Sequence, residues 1–469
     1  MELIRKTPGA LGIEARGILD FINALEDKKL GVQSFMLIRH GQVASEAWWK
    51  PYAPEKVHQL YSLSKSFTST AVGFAVQEGL LNLDDPVVSF FEDLLPAEPC
   101  ENMKKMKVRN LLTMGTGHSK EPRVFSSDTW RYNFLTSYID KEPGSIFTYN
   151  TPATYMLSAI VQKVTGQKVF DYLTPRLFEP LGIKDIWWEE SPEGINTGGF
   201  GLNIRTEDIA RFGLFLLHRG MVDGKQLLNP EWIDMATSRQ ISNGDPETGS
   251  DWSQGYGFQF WRCAPKDVYR GDGAFGQYCV VMPNQDAVLA VTSGSKDIGQ
   301  ILKEAWTHLL PAMKDDAQAD NGLDALNDRI KTLEIPLVKG NKSHPGAKNA
   351  VYKISDNFLG LKKLSVRFQD GSVTLKGEFS ENAMDYAMDS ETPAGYGTWL
   401  EGGKALTHTS ASYAYQEDGK MHMRVVCDHA PYIAEVKMQM FDDHMVLELS
   451  MNVSMGGQEK LLLIGIAEE

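Results

Sequence analysis

The run Leu60-Tyr61-Ser62-Leu63-Ser64-Lys65-Ser66-Phe67 sets a serine three positions before a lysine. From Ser64 to about Gln77 the apolar residues Phe67, Ala71, Val72, Phe74, Ala75 and Val76 keep a helical rhythm, and Gly79 supplies a C-terminal stop. Ser62 and Lys65 therefore share one face at the start of a helix. A serine hydroxyl attacks a carbonyl only once a base takes its proton, and a lysine amine serves when burial or neighbouring cations lower its pKa. The helix start adds free N–H groups and the positive end of the dipole, both suited to an oxyanion. This is the chemistry of an activated serine nucleophile. The same spacing recurs at Ser293-Gly294-Ser295-Lys296, after the strand-like run 287–292 and inside a Gly/Ser turn, which reads as a loop.

Other elements must hold the first pair in place. Residues 33–40 read as a buried strand that turns at Gly41 into a second strand from Val43 to Trp49, and this hairpin precedes the Ser62 helix. From about 84 to 225 the pattern is helical and loop-rich, with helical runs near 108–113, 153–165 and 206–219, as in an inserted helical region. Strand patterns return at 256–263, 277–282 and 287–292, and a helix over 298–310 closes the first unit. A chain of 469 residues points to more than one domain, and we divide it into 1–312, a linker over 313–347 and a second domain over 348–469. The linker is rich in Asp, Lys, Asn, Gly and Pro and holds one amphipathic stretch, 323–333. In the second domain the alternating runs 364–368, 373–375, 421–426, 433–441 and 445–451 are spaced by turn signals, which predicts a small all-β sandwich or barrel.

A net charge of −14 argues against nucleic acid or an anionic membrane as partner, because both select clustered Lys and Arg. The first residues carry no continuous apolar segment, and nowhere do about 18 apolar residues run together, so a cytoplasmic protein is expected. Cys100, Cys263, Cys279 and Cys427 lack metal-type or redox spacing and read as reduced thiols. His40, His58 and His118 lack ligand spacing and read as structural, so neither a metal nor an organic cofactor is expected. There is no Gly-x-Ser-x-Gly elbow, which argues against an α/β-hydrolase triad. Trp48, Trp49, Trp130, Trp187, Trp188 and the aromatic run 256–261 crowd the motif segments, and most are expected in the core.

The segment from Tyr61 to Phe67, followed by Glu-Gly-Leu-Leu-Asn-Leu-Asp-Asp-Pro at 78–86, resembles the serine β-lactamase and penicillin-binding-protein superfamily, in its class C and esterase-like branch. Val-Arg-Asn-Leu-Leu-Thr-Met-Gly-Thr-Gly at 108–117, Pro-Gly-Ser-Ile-Phe-Thr-Tyr-Asn at 143–150, the glycine-rich 198–202 with 207–213, and Gly-Asp-Gly-Ala-Phe-Gly-Gln at 271–277 follow in the family's order. The resemblance covers roughly residues 10–310 and implies an α/β (α+β) β-lactamase-like fold, an antiparallel sheet flanked by helices with a helical insertion. It implies Ser62 as nucleophile, Lys65 as its partner in proton transfer and Tyr149 as the third member.

Two motifs depart from the pattern. The family's Tyr-x-Asn reads Tyr149-Asn150-Thr151 here, so that either Asn150 or Thr151 holds a substrate carbonyl, or neither does. Ser127-Asp128-Thr129 partly mimics the Ser-Asp-Asn of class A relatives and ranks second to Tyr149 as third member. Where the superfamily carries Lys-Thr-Gly or His-x-Gly, this chain reads Gly271-Asp272-Gly273, which removes a cation and disfavours anionic β-lactams and peptidoglycan stems. An uncharged or amine-bearing ester or amide is then expected. The N–H of Ala274 would pair with that of Ser62 as an oxyanion hole, with Asp272 and Gly273 lining the same edge. The second domain resembles one appended to related hydrolases, notably at 395–403 and at His429-Ala430-Pro431-Tyr432, and shaping of the cleft mouth or homo-oligomerisation are both open roles for it. The function implied is a serine hydrolase that cleaves an ester or amide of a small molecule through an acyl-enzyme on Ser62. The alternatives are a β-lactamase or D-amino-acid peptidase, or a catalytically silent binding protein.

Overall fold

The run of apolar residues after Gly31 forms strand β1 (Val32–Arg39), buried along its whole length and therefore covered on both faces. In the computed structural model, which describes residues 2–380, 391–403, 408–456 and 460–468, β1 lies inside a six-stranded sheet. Met1 and Glu469, the outer bounds of the two expected domains, lie outside the described residues. The other strands are β2 (Gln42–Trp48), β3 (Trp261–Arg262), β4 (Tyr269–Gly273), β5 (Gln277–Met282) and β6 (Ala287–Ser293). Their order is β2-β1-β6-β5-β4-β3, with every neighbour antiparallel. Alternation decides the two faces. Met36 and Ile38 join the core under the helical region, whereas Phe35 and Leu37 join a second core with Ile18, Phe21 and Ile22 of helix α1 (Ala15–Asp27).

Three helices matter for the site. Helix α2 (Ser64–Gln77) runs through the centre of the larger core, α3 (Thr151–Thr165) packs beside it, and α4 (Thr206–Leu217) lies against β5 and β6. Two hydroxyls that α2 carries into the interior are bonded outward: Ser66 Oγ donates to the Gln259 carbonyl at 2.9 Å and Thr68 Oγ1 to that of Gly198 at 2.8 Å. These buried polar atoms tie the helix to its surroundings.

Two expectations need correction. The strand pattern over 256–263 yields only β3, because Gln259 sits in the left-handed region (φ 67°) and its amide is drawn into the core, donating to the carbonyls of Leu111 and Leu112. The strand that matters, β4, carries two glycines in five residues and little β signal of its own. Nor is 313–347 a free tether: helix α5 (Leu323–Lys331) docks on α1, and Leu326 and Leu333 enter the second core, since an amphipathic face buries its apolar stripe where it can.

Beyond it, ten described strands from Ala350–Ile354 to Lys460–Ala467 form one sheet with antiparallel neighbours. Thr392–Tyr396 also pairs in parallel with Thr409–Tyr415, which closes the sheet into a barrel. Val366, Val373, Met421, Met423, Val436 and Leu447 fill its interior. The hairpin loop 428–432 of this barrel reaches back onto the first domain, where Gln59 N donates to the His429 carbonyl at 2.9 Å and Lys56 Nζ meets Asp428 at 2.6 Å.

Candidate active site

Ser62 sits in the single 3₁₀ turn Tyr61–Leu63 that feeds directly into α2. That turn is anchored from several sides. Leu60 N donates to the Leu202 carbonyl at 2.9 Å, Leu202 N donates to Ser64 Oγ at 3.1 Å, and Ser64 Oγ donates to the Tyr61 carbonyl at 2.6 Å. Tyr61 has φ 49°, a strained value for a bulky residue. Its ring stands edge-on to Phe275, itself at φ 64°, with centroids 5.4 Å apart, and its hydroxyl donates to Tyr432 Oη of the barrel at 2.6 Å. The strain just before Ser62 is thus held by packing from both domains.

Lys65 lies one helical turn on, 1% exposed, with Nζ 2.9 Å from Ser62 Oγ, 2.8 Å from the Gly199 carbonyl and 3.4 Å from Thr151 Oγ1. Burial brings its ammonium down to about 7, against the opposing pull of Glu121 and Asp272. Close approach by the Gly198-Gly199 backbone makes this possible: a Cβ on Gly199 would stand 2.7 Å from Thr151 Cγ2, and one on Gly198 2.7 Å from Ser158 Cβ. The Tyr149 ring lies under Lys65 Nζ at 4.9 Å and against Trp261 at 5.5 Å, beside Ser62. Burial pushes the Tyr149 phenol well up, with Ser62 acting in the other direction. Serine, lysine and tyrosine are thus gathered in one place.

Of the two residues after Tyr149, the structure separates the roles. Asn150 is fully buried; its Oδ1 accepts from Ala153 N at 3.1 Å as the N-cap of α3 and its Nδ2 donates to Thr116 Oγ1 at 3.0 Å. It is committed to the scaffold and cannot hold a substrate carbonyl. Thr151, the position of the missing asparagine, is the one that reaches Lys65.

The β4 motif is also specific to this chain. A Cβ on Gly271 would stand 2.3 Å from Leu63 Cδ1 and 2.8 Å from Ser66 Oγ, so a side chain where the family carries a basic one would have to displace Leu63 and Ser66. A cation is nevertheless adjacent. Arg270, wholly buried on the opposite face of the strand, bonds Asp272 Oδ2 through Nε at 2.9 Å and lies against Trp252 with the guanidinium carbon 4.7 Å from the ring. Sequence reasoning noted the acidic residue and missed its partner two positions away, although alternation along a strand puts 270 and 272 on one face. Gly273 is pressed onto the Leu60 carbonyl, where a Cβ would come within 2.2 Å, and its own carbonyl accepts from Gly276 N at 3.1 Å. Ala274 opens the turn between, half-buried, with its carbonyl accepting from Gln277 Nε2 at 3.0 Å.

Ser127 is not brought to the site; its hydroxyl is bonded within its own exposed loop, to Thr129 and Asn133. The histidines also stay structural. His118 is wedged between Thr116 and Ser137 and held down to about 4 by burial, and His58 bonds Gln33 and is held down to about 3 by burial. His40 sits at the surface against Asp286. Trp49 and Trp188 are core residues as expected, whereas Trp261 stacks on Tyr149. Glu121 had no motif to reveal it. Its carboxylate accepts from Thr151 N at 2.6 Å.

A family model described as beta-lactamase matches residues 21–312, nearly all of the unit that carries this site. The chain belongs to the β-lactamase family. Among family relatives, a 6-aminohexanoate-dimer hydrolase of Paenarthrobacter ureafaciens is 23% identical over 286 residues, 56% of this chain and 73% of that one. An octameric penicillin-binding protein homologue from Pyrococcus abyssi superposes with a TM-score of 0.52 at 17% identity, covering 96% of this chain and 99% of that one. SurE, solved with D-Leu, gives 0.53 at 16% identity, with 97% and 99% covered. The β-lactamase-like fold followed by a separate C-terminal β-barrel is therefore a shared architecture, and the family's named relatives include hydrolases. No described helix is long and apolar enough to cross a membrane.

Proposed function

We propose that the protein is a serine hydrolase that cleaves an ester or amide of a small molecule through an acyl-enzyme on Ser62. One observation carries this reading: Lys65 Nζ stands 2.9 Å from Ser62 Oγ, burial brings Lys65 down to about 7, and the Tyr149 ring packs against the same ammonium at 4.9 Å. The neutral lysine accepts the Ser62 proton as Oγ attacks the carbonyl carbon, and Tyr149 relays it to the departing alcohol or amine. Water, deprotonated by the same groups, then adds to the acyl-enzyme and releases the acid and Ser62. The N–H groups of Ser62 and Ala274 are the proposed oxyanion donors, with Gly273 and Asp272 shaping the edge beside them and Thr151 orienting Lys65.

The β-lactamase or D-amino-acid peptidase alternative is weakened by β4, where Gly271 packed on Leu63 stands in place of a basic residue and Arg270 is already paired with Asp272. Short-chain p-nitrophenyl esters, nitrocefin and D-alanyl amides assayed side by side test the reading. Ester or simple amide turnover supports it, faster nitrocefin or D-alanyl turnover favours the alternative, and a folded protein inert to all three is a silent binder.

The unpaired state of all four cysteines supports a cytoplasmic location. Leu462, Ile464 and Ile466, 64%, 47% and 59% exposed on the outer face of the last barrel strand, support a homo-oligomer, which light scattering would detect.

A further inference from the structure

We propose that Glu121 anchors a positively charged amine on the substrate, so that the molecule presented to Ser62 carries an ammonium group. The inference rests on the reading of Ser62 as nucleophile and names the substrate class.

Glu121 is exposed, yet its carboxylate is fixed: one oxygen accepts from Thr151 N at 2.6 Å, at the start of α3 and two residues beyond Tyr149. Thr151 in turn places its hydroxyl 3.4 Å from Lys65 Nζ, so the carboxylate is joined to the reacting groups through a single residue. Its charge is felt at both Lys65 and Tyr149. Among the described residues no ion pair is formed by Glu121, although Lys120 and Arg123, both exposed, flank it in sequence. The second carboxylate oxygen is left for a ligand.

The surroundings favour a cation over an anion. Phe125, on the same segment and 38% exposed, stands edge-on to Trp130 and to Phe200, with centroids 4.6 and 5.8 Å away. Phe200 directly follows Gly199, whose carbonyl takes Lys65 at 2.8 Å. A fixed carboxylate with aromatic rings on its own loop is a combination that recognises ammonium groups. The basic residue that the family carries near the nucleophile is a glycine here, and Arg270 is bound to Asp272. An anionic substrate would meet the Glu121 charge beside the reacting groups.

Calorimetric titration of the full-length protein with hexylamine, 1-hexanol and hexanoate tests this without requiring turnover. The ammonium should bind about tenfold more tightly than the alcohol, with hexanoate weakest, as for one charge-assisted hydrogen bond. Glu121→Gln keeps an acceptor for Thr151 N and removes the charge, so it should erase the amine-over-alcohol preference. Equal binding of amine and alcohol to the wild type overturns the inference, as does equal weakening of both by Glu121→Gln. If that variant fails to fold, the wild-type comparison alone decides. Amine preference without covalent labelling of Ser62 would keep the ammonium site and sink the hydrolase reading, whereas labelling without amine preference would do the reverse.

Discussion

Two copies of Ser-x-x-Lys stand in this chain and share nothing but spacing. Ser62 and Lys65 span a 3₁₀ turn and the first turn of α2, which brings Nζ to 2.9 Å from Oγ in a setting where the lysine is 1% exposed. Ser293 ends β6 and Lys296 stands exposed in the loop after it, while the Ser293 hydroxyl is turned into the 273–276 turn, donating to the Gly276 carbonyl at 3.1 Å. Strand geometry points successive side chains apart, whereas helical geometry stacks residues three apart. The proposed reactivity thus rests on the turn and on the burial of the lysine, which lowers its pKa, and not on the four-residue pattern.

The comparison breaks most decisively at the lysines. Lys65→Ala should cut kcat/KM for an ester substrate by about 10³-fold or more, as for removal of one member of a unit that acts together, while Lys296→Ala should leave it within twofold of wild type. Equal losses would erase the distinction. Tyr149→Phe should cost about 10²-fold, because it removes a proton-transfer group but leaves Lys65 and Ser62 in place. A larger loss from Ser127→Ala than from Tyr149→Phe would transfer the third role to the 127–129 loop.

The pH profile sharpens the same point. Lys65 serves as a base only when neutral, so log kcat/KM should rise by about one unit per pH unit below about 7 and level off above it. The sign for stability follows from the lowered value: between about 7 and 10.5 the unfolded chain holds a proton that the native lysine has lost, so Lys65 makes stability rise with pH across that window. A flat profile through pH 6 to 8 would mean that Lys65 is not the base. The smallest effect belongs to the support around Ser62. Tyr432→Phe removes the bond to the Tyr61 hydroxyl and should raise KM about fivefold, corresponding to one ordinary hydrogen bond, with melting temperature little changed.

How much of this was legible in the sequence varied with range. The helix over Ser64–Gln77 and the strands β1, β2, β5 and β6 were readable because each carries its own period of apolar residues. That Ser62, Lys65 and Tyr149 would lie together was readable because ordered motifs surround them. Strand β4 was not, since glycines chosen for close approach to Leu63 and Leu60 leave no alternating pattern. Asn150 and Thr151 were left open as equals, and only the N-cap bond to Ala153 removes the first from the site. Glu121, Gly199 and Tyr432 reach the site from 59, 137 and 370 positions beyond Ser62, distances over which no local rule connects residues. The docking of α5 was missed for a related reason: its composition reads as linker while its apolar stripe matches a face of α1 far upstream.

The central claim is that Ser62 is a nucleophile activated by Lys65. It is tested most directly by treating the protein with a fluorophosphonate and locating the adduct by peptide mass spectrometry across a pH series. The account predicts a single adduct on Ser62, formed faster as pH rises through about 7 and absent from Lys65→Ala. Labelling at Ser293 or any other residue, or labelling of Ser62 that survives loss of Lys65, would contradict it.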